Sequence, residues 1–130
     1  MLTCMRPTDP RYASIPLPAG SPAVDAKLAF VVLGWPVIDP LGRYHFARDH
    51  VAAGHNVDQF KRLMGLQERF WGGEDAMAEA NPVRILERGE RVEMPPAIYI
   101  QGTDDAVHPR PHLDRFVAAY RKAGGSVHLE

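Results

Sequence analysis

The sequence contains little of what marks several large classes of protein. Cys4 is its only cysteine, so an internal disulfide is excluded and a reducing, cytoplasmic environment is favoured. The formal net charge is -1, which provides neither a basic surface for nucleic acid nor a polybasic tract for a membrane surface. No stretch approaches the roughly 18 apolar residues of a membrane span. We therefore expect neither nucleic acid nor a membrane as a partner.

Serine is also scarce. The only serines are Ser14, Ser21 and Ser126, and the first two lie among prolines. A serine is exposed for acyl transfer by a nucleophile elbow, the pattern Gly-x-Ser-x-Gly on a strand-to-helix turn. Ser126 follows two glycines, but no glycine stands at the required spacing after it, and Cys4 has no such surroundings either. The sequence therefore predicts no nucleophile of this kind.

What the sequence does contain fits a single domain over residues 1–130. Hydrophobic residues make up 45% and charged residues 24%, as in an ordinary globular protein. Twelve prolines divide the sequence into short segments. Five of them fall within residues 5–22, which predicts an extended lead-in and not a helix.

Three apolar segments predict strands. Residues 28–33 form a continuous, partly β-branched run, which indicates a strand buried on both faces, as in a parallel sheet. Residues 96–102 predict a second strand, and the segment from Ser126 to the end predicts a third.

Helices are predicted between these strands. Helical spacing of apolar residues indicates a helix over 57–71. Shorter helices are expected within 44–53 and over 74–80, the latter stopped by Asn81-Pro82, with residues 84–96 as a connection. Another helix begins near Pro111 and carries one apolar face, made of Leu113, Phe116, Val117 and Tyr120.

The order of these elements predicts the fold class. A strand is followed by a helical insertion over residues 37–94, a second strand, a helix and a third strand. This order is typical of an α/β protein whose helices cover a parallel sheet.

Two adjacent aspartates, Asp104 and Asp105, follow the second predicted strand. The carboxyl ends of parallel strands are where α/β proteins build their sites. The pair is also ordinary turn chemistry, because aspartate side chains bind nearby backbone groups. A third hypothesis is a phosphate or Mg²⁺ site, which no neighbouring lysine or third carboxylate supports.

The histidines and aromatic residues predict no further site. His108 and His112 are four residues apart, but the prolines at 109 and 111 argue against one helix carrying both. We interpret both as exposed loop and helix-start residues. His45, His50 and His55 are predicted to be surface residues of the insertion, and Phe60, Phe70 and Trp71 to pack between the insertion and the core. Trp35 follows a strand and is a better candidate to line a pocket, although core packing is the simpler interpretation.

Several stretches together resemble α/β-hydrolases of the esterase and lipase type. The segment Gly102-Thr103-Asp104-Asp105, the helix from Pro111 and the turn Ala123-Gly124-Gly125 resemble the part of that family that carries the catalytic acid. Residues 9–48 resemble the stretch after the nucleophile helix, and residues 68–105 the exit from the cap and the return to the sheet. The resemblance covers nearly all of the sequence, but only the C-terminal part of a family domain.

The resemblance implies a partial α/β-hydrolase fold whose cap-like insertion spans 37–94. It implies a parent enzyme that hydrolyses a small-molecule carboxylic ester by serine acyl transfer, with no metal and no organic cofactor. Counting from the glycine, Asp105 corresponds to the acid of the catalytic triad. Asp104 remains the alternative, because relatives often carry a valine three residues after the acid and Val107 stands three after Asp104. The family's nucleophile and catalytic histidine have no counterpart here, so the chain alone is expected to be inactive.

A second reading is a non-catalytic binding or oligomerisation module built on the same half-fold. The first strand, around residues 29–33, would lack its usual neighbour and would expose an apolar edge. We therefore expect either a homodimer formed through that edge or an aggregation-prone monomer.

Overall fold

Three short parallel strands form the sheet, in the order β1 (Val31–Gly34), β2 (Ala97–Ile100) and β3 (Val127–Leu129). In register, Val31 lies opposite Ala97, which lies opposite Val127. The computed structural model describes residues 1–12, 15–22 and 24–130. Ser14, one of the three serines, lies outside the described residues. The predicted α/β class with a parallel sheet is confirmed.

Helices fill the rest of the regular structure. The described part of the lead-in, residues 5–12 and 15–22, is largely irregular, as predicted, apart from the end of a short helix at Met5 and a 3₁₀ turn at Pro10–Tyr12. The α-helices are α1 (Leu2–Met5), α2 (Pro40–Ala52), α3 (Val57–Trp71), α4 (Glu74–Glu79), α5 (Pro82–Glu87) and α6 (Arg110–Lys122).

Helices α2 and α5 begin with the same kind of side-chain N-cap. Asp39 caps α2 by accepting a hydrogen bond from the Gly42 N–H at 2.8 Å, and Asn81 caps α5 by accepting from the Arg84 N–H at 3.2 Å. A proline follows each cap, at a position where its missing N–H costs nothing. The prediction of an irregular connection from residue 84 is therefore wrong: the proline that ends α4 also starts α5.

The long amphipathic helices were predicted correctly. Helix α3 occupies the predicted residues 57–71, and Gly72 follows it with a φ of 82°, the left-handed conformation that favours glycine. Helix α6 buries the predicted residues, which are Leu113, Phe116, Val117 and Tyr120.

The hydrophobic core lies on one face of the sheet. Leu33 and Tyr99 are buried on that face, together with Ala97 and Val127. Gly125 closes the turn before β3, where a Cβ atom would lie 2.3 Å from the Tyr120 ring. The helices contribute Met5 from α1, Val83, Ile85 and Leu86 from α5, and the apolar face of α6.

The opposite face of the sheet is open to solvent. Val32 is 52% exposed and Ile98 is 37% exposed, and these two residues are neighbours in register. Phe30 and Leu28, just before β1, are also exposed. The prediction of a strand over 28–33 buried on both faces is therefore wrong, because the helices pack on the face that carries Leu33 and Tyr99.

Strand β1 lies at an edge of the sheet, with β2 on its one paired side within the described residues. The ladder to β2 runs from Val31 N–H donating to Pro96 O at 2.9 Å to Trp35 N–H donating to Ile100 O at 3.0 Å. In the described part of the chain, no helix has both the length and the apolar composition needed to cross a membrane.

Candidate functional site

An open cleft of about 540 Å³ lies at the carboxyl ends of β1 and β2. Trp35 lines it from the end of β1, and Gln59 from helix α3. The loop after β2, residues 102–108, forms the rest of the wall. This is the place where open parallel sheets bind ligands.

A larger groove of about 680 Å³ lies between α6 and the segment that follows α5. Two of its charged residues, Glu87 and Arg115, form an ion pair at 2.6 Å. The groove holds neither a histidine nor a serine or cysteine. The cleft at the strand ends is therefore the better candidate for chemistry.

Asp105 is firmly held in the loop of the cleft. Its Oδ1 accepts hydrogen bonds from the Val107 and His108 N–H groups, each at 2.9 Å. Its Oδ2 lies 2.8 Å from Nδ1 of His108, and its side chain is 6% exposed. Asp104 is exposed and has no hydrogen-bond partner among the described residues. The two adjacent carboxylates therefore differ sharply in their surroundings.

The sequence explains how the loop takes this shape. An aspartate that accepts bonds from the backbone two and three residues later forms a compact turn. Arg43 of α2 donates its Nε–H to Val107 O at 2.9 Å, and the Gln101 amide donates to His108 O at 2.7 Å. The insertion and the residue directly after β2 thus both hold the segment that carries Asp105 and His108.

The Asp105–His108 pair has a defined protonation pattern. Burial would raise the pKa of Asp105, but the hydrogen bonds from Val107 and His108 hold it below its ordinary value. Burial lowers the pKa of His108, and the charge of Arg43 lowers it further, against the opposing effect of Asp105. An ionised carboxylate only accepts hydrogen bonds, so Nδ1–H of a neutral imidazole donates to Oδ2.

His108 therefore differs from its sequence-based interpretation. Instead of an exposed loop residue, it is a half-buried partner of Asp105, with a side chain 15% exposed. The signal that identifies it is the spacing Asp105-x-x-His108, which lets an aspartate turn bring the imidazole back to the carboxylate. His112 lies in the first turn of α6, outside the cleft lining, and is half-buried.

The remaining histidines form no site. His45 pairs with Glu74 at 2.7 Å and His55 is exposed. His50 is half-buried and packs against the rings of Phe46 and Phe60. Among the described residues, no group of three or more histidine, cysteine or acidic side chains is arranged to hold a metal ion.

Phe60 and Trp71 pack within the insertion, so the prediction of packing between the insertion and the core is wrong. Phe60 is buried against Phe46 and His50 of α2, and Trp71 packs against a small cluster of α2 and α4 residues. Phe70 is 78% exposed, contrary to prediction. Trp35 does not join the core: it is 56% exposed, lines the cleft and has a φ of 44°.

The cleft contains an acid and an imidazole but no serine or cysteine among its described lining residues. Ser21 and Ser126 lie elsewhere, and Cys4 is in α1. Comparison of the chain with protein-family models, with curated proteins and with solved structures finds no match.

Proposed function

We propose that this chain is the acid-bearing, C-terminal portion of a carboxylic ester hydrolase with an α/β-hydrolase fold. The observation that carries the proposal is the burial and hydrogen bonding of the Asp105 carboxylate. This carboxylate is buried at the carboxyl end of a parallel strand and bonded to two backbone N–H groups and to an imidazole. The order β1, helical insertion, β2, α6, β3 supports the same assignment.

In this proposal Asp105 orients a histidine and stabilises the imidazolium that forms when the histidine takes a proton. The substrate is a small-molecule carboxylic ester, and acyl transfer needs neither a metal nor an organic cofactor. The serine nucleophile and the family's catalytic histidine come from outside these 130 residues. The insertion over 37–94 acts as the cap and contributes Gln59 to the cleft wall.

The test begins with the DNA that flanks this reading frame. The proposal expects an upstream Gly-x-Ser-x-Gly and a downstream histidine. In the extended protein, D105N should lower kcat for p-nitrophenyl butyrate by up to about 10⁴-fold, since the imidazole loses its orienting partner. The matched variant D104N should retain nearly full activity. A large effect of D104N alone would move the acid to its neighbour, and absence of the elbow would contradict the proposal.

A non-catalytic binding or oligomerisation module is the second candidate. The exposed apolar side chains of the open sheet face, Val32 and Ile98 among them, favour it. Under this reading the extended protein would show no esterase activity, and D105N would change only its stability.

A further inference from the structure

The Asp105 carboxylate already holds an imidazole from its own loop. We propose that His108 is a general base, and that with it this chain by itself hydrolyses small activated carboxylic esters at a low rate. The inference rests on the proposed function only for the choice of an ester as substrate class. It departs from the sequence-based expectation of inactivity, which rested on the missing serine elbow and the missing catalytic histidine.

Three of the acceptor positions of the Asp105 carboxylate are already used within this chain. Oδ1 is occupied by the Val107 and His108 N–H groups, and Oδ2 by the His108 ring. The side chain is 6% exposed. A histidine from elsewhere, as in the proposed function, would share Oδ2 with His108, whereas His108 already binds Asp105 within this chain.

The bond between Nδ1 of His108 and Asp105 leaves the other ring nitrogen, Nε2, available to accept a proton. With Nδ1–H donating to Asp105, the neutral ring carries its lone pair on Nε2. Within residues 1–12, 15–22 and 24–130, no group hydrogen-bonds to His108 Nε2. His108 lines the cleft, so an Asp-oriented imidazole base stands at the wall of a space large enough for a small ester.

The reaction balances without any further reagent. Nε2 takes a proton from a water molecule as the water oxygen attacks the ester carbonyl carbon. The tetrahedral intermediate then expels the alcohol or phenol oxygen, which receives the proton from the imidazolium or leaves as an anion while the proton passes to solvent. Aryl esters suit this site best, because their leaving group needs little protonation and the exposed Trp35 ring offers a stacking surface.

Charged and titratable groups set the working pH of the base. Arg43 of α2 and Asp105 act on His108 directly, and the net result is a pKa below the ordinary value. Asp104 shares the cleft. Asp39, Tyr99 and His112 line a second, small pocket together with His108.

The test measures hydrolysis of p-nitrophenyl acetate by the purified chain and three variants. We expect H108Q to lower the protein-dependent rate about 10²-fold, which is a usual contribution of a general base. D105N should lose a similar amount, because its amide no longer fixes the tautomer. H128Q changes a histidine on β3 that is 68% exposed and pairs only with Glu130, so it should leave the rate unchanged.

Three further measurements separate base catalysis from nucleophilic attack and from a purely structural role of His108. The wild-type rate should rise with pH through an inflection below about 6.5, the ordinary histidine pKa. A solvent deuterium isotope effect well above unity is expected, since a proton moves in the rate-limiting step. ¹H–¹⁵N NMR of the wild type should show the neutral His108 ring protonated on Nδ1, which stays informative even where a variant fails to fold.

Equal rates for wild type and H108Q would overturn the inference, as would a ring protonated on Nε2. An acetylated His108 found by mass spectrometry would show a nucleophile instead of a base and would also overturn it. These failures leave the proposed function intact if the extended protein depends on Asp105. Conversely, the absence of an upstream serine elbow would contradict the proposed function but would not contradict the activity of this chain alone.

Discussion

Asp104 and Asp105 show how much the surroundings of one residue decide. They are neighbours in sequence, yet one is solvated and the other accepts three hydrogen bonds. The glycine count selected Asp105 from the sequence, and the structure places the buried, bonded carboxylate at that position. The imidazole three residues later was not predicted, because a histidine between a valine and a proline looks like ordinary loop sequence until the turn is seen.

His108 should make the stability of the chain depend on pH. Its folded-state pKa lies below the value of an unfolded histidine, so the unfolded chain binds more protons between the two values. The free energy of unfolding is therefore highest above about 6.5 and falls as the pH drops through that window. We expect urea denaturation of H108Q to show a weaker pH dependence between about 5 and 7. Identical slopes in the two proteins would contradict this.

Gln67 is a buried amide without hydrogen bonds. The residue is 4% exposed, and neither Oε1 nor Nε2 has a partner among the described residues. Since an unsatisfied buried polar group costs about 1–3 kcal/mol, Q67M should raise the free energy of unfolding by about 1 kcal/mol in urea titrations.

Gln59 is the matched control, because it is an exposed glutamine on the same helix. Q59M should change stability by less than about 0.5 kcal/mol. A Q67M variant less stable than the wild type would contradict this prediction.

At the scale of elements, Asp39 joins three helices. It caps α2, accepts a hydrogen bond from the Asn81 amide at 2.6 Å and lies 3.4 Å from the Arg115 guanidinium of α6. D39A should therefore cost about 2–4 kcal/mol of unfolding free energy, from the lost cap and the unpaired amide. Chemical denaturation with circular dichroism measures this. D58A removes an exposed carboxylate from the first turn of α3 and should cost far less.

The elements also show what the sequence can and cannot predict. Helices α3 and α6 followed from their spacing, because an amphipathic pattern depends only on local sequence. Helix α5 was missed because Asn81-Pro82 was interpreted as a stop and not also as a start. The exposure of Val32 was not predictable from its apolar run, since burial of a strand face depends on which distant element packs against it.

At the scale of the whole molecule, one face of the sheet is packed against helices and the other is exposed to solvent. The exposed face carries the apolar side chains of Phe30, Val32 and Ile98. Strand β1 forms an edge of the sheet, and the sequence around it, residues 28–38, contains no charged residue. Exposed, uncharged edges favour pairing with another chain. The expected outcome is a dimer formed through β1, or an aggregation-prone monomer that binds the dye ANS.

Light scattering after size exclusion, together with ANS fluorescence, tests this expectation. V32K places a charge on the exposed side of β1 and should reduce both self-association and dye binding. L66K, at a residue 53% exposed on α3, should have no such effect. A monodisperse wild-type monomer that unfolds cooperatively without an ANS signal would favour the self-contained binding module.

The exposed Trp35 side chain gives the cleft a fluorescent reporter of ligand binding. The chain has two tryptophans, and Trp71 is half-buried at the end of α3 while Trp35 lies open at the cleft. In W71F, emission comes from Trp35 alone. An aryl ester or its phenol product that enters the cleft should therefore shift or quench that emission in a saturable way, so occupancy can be followed even where turnover is too slow to detect.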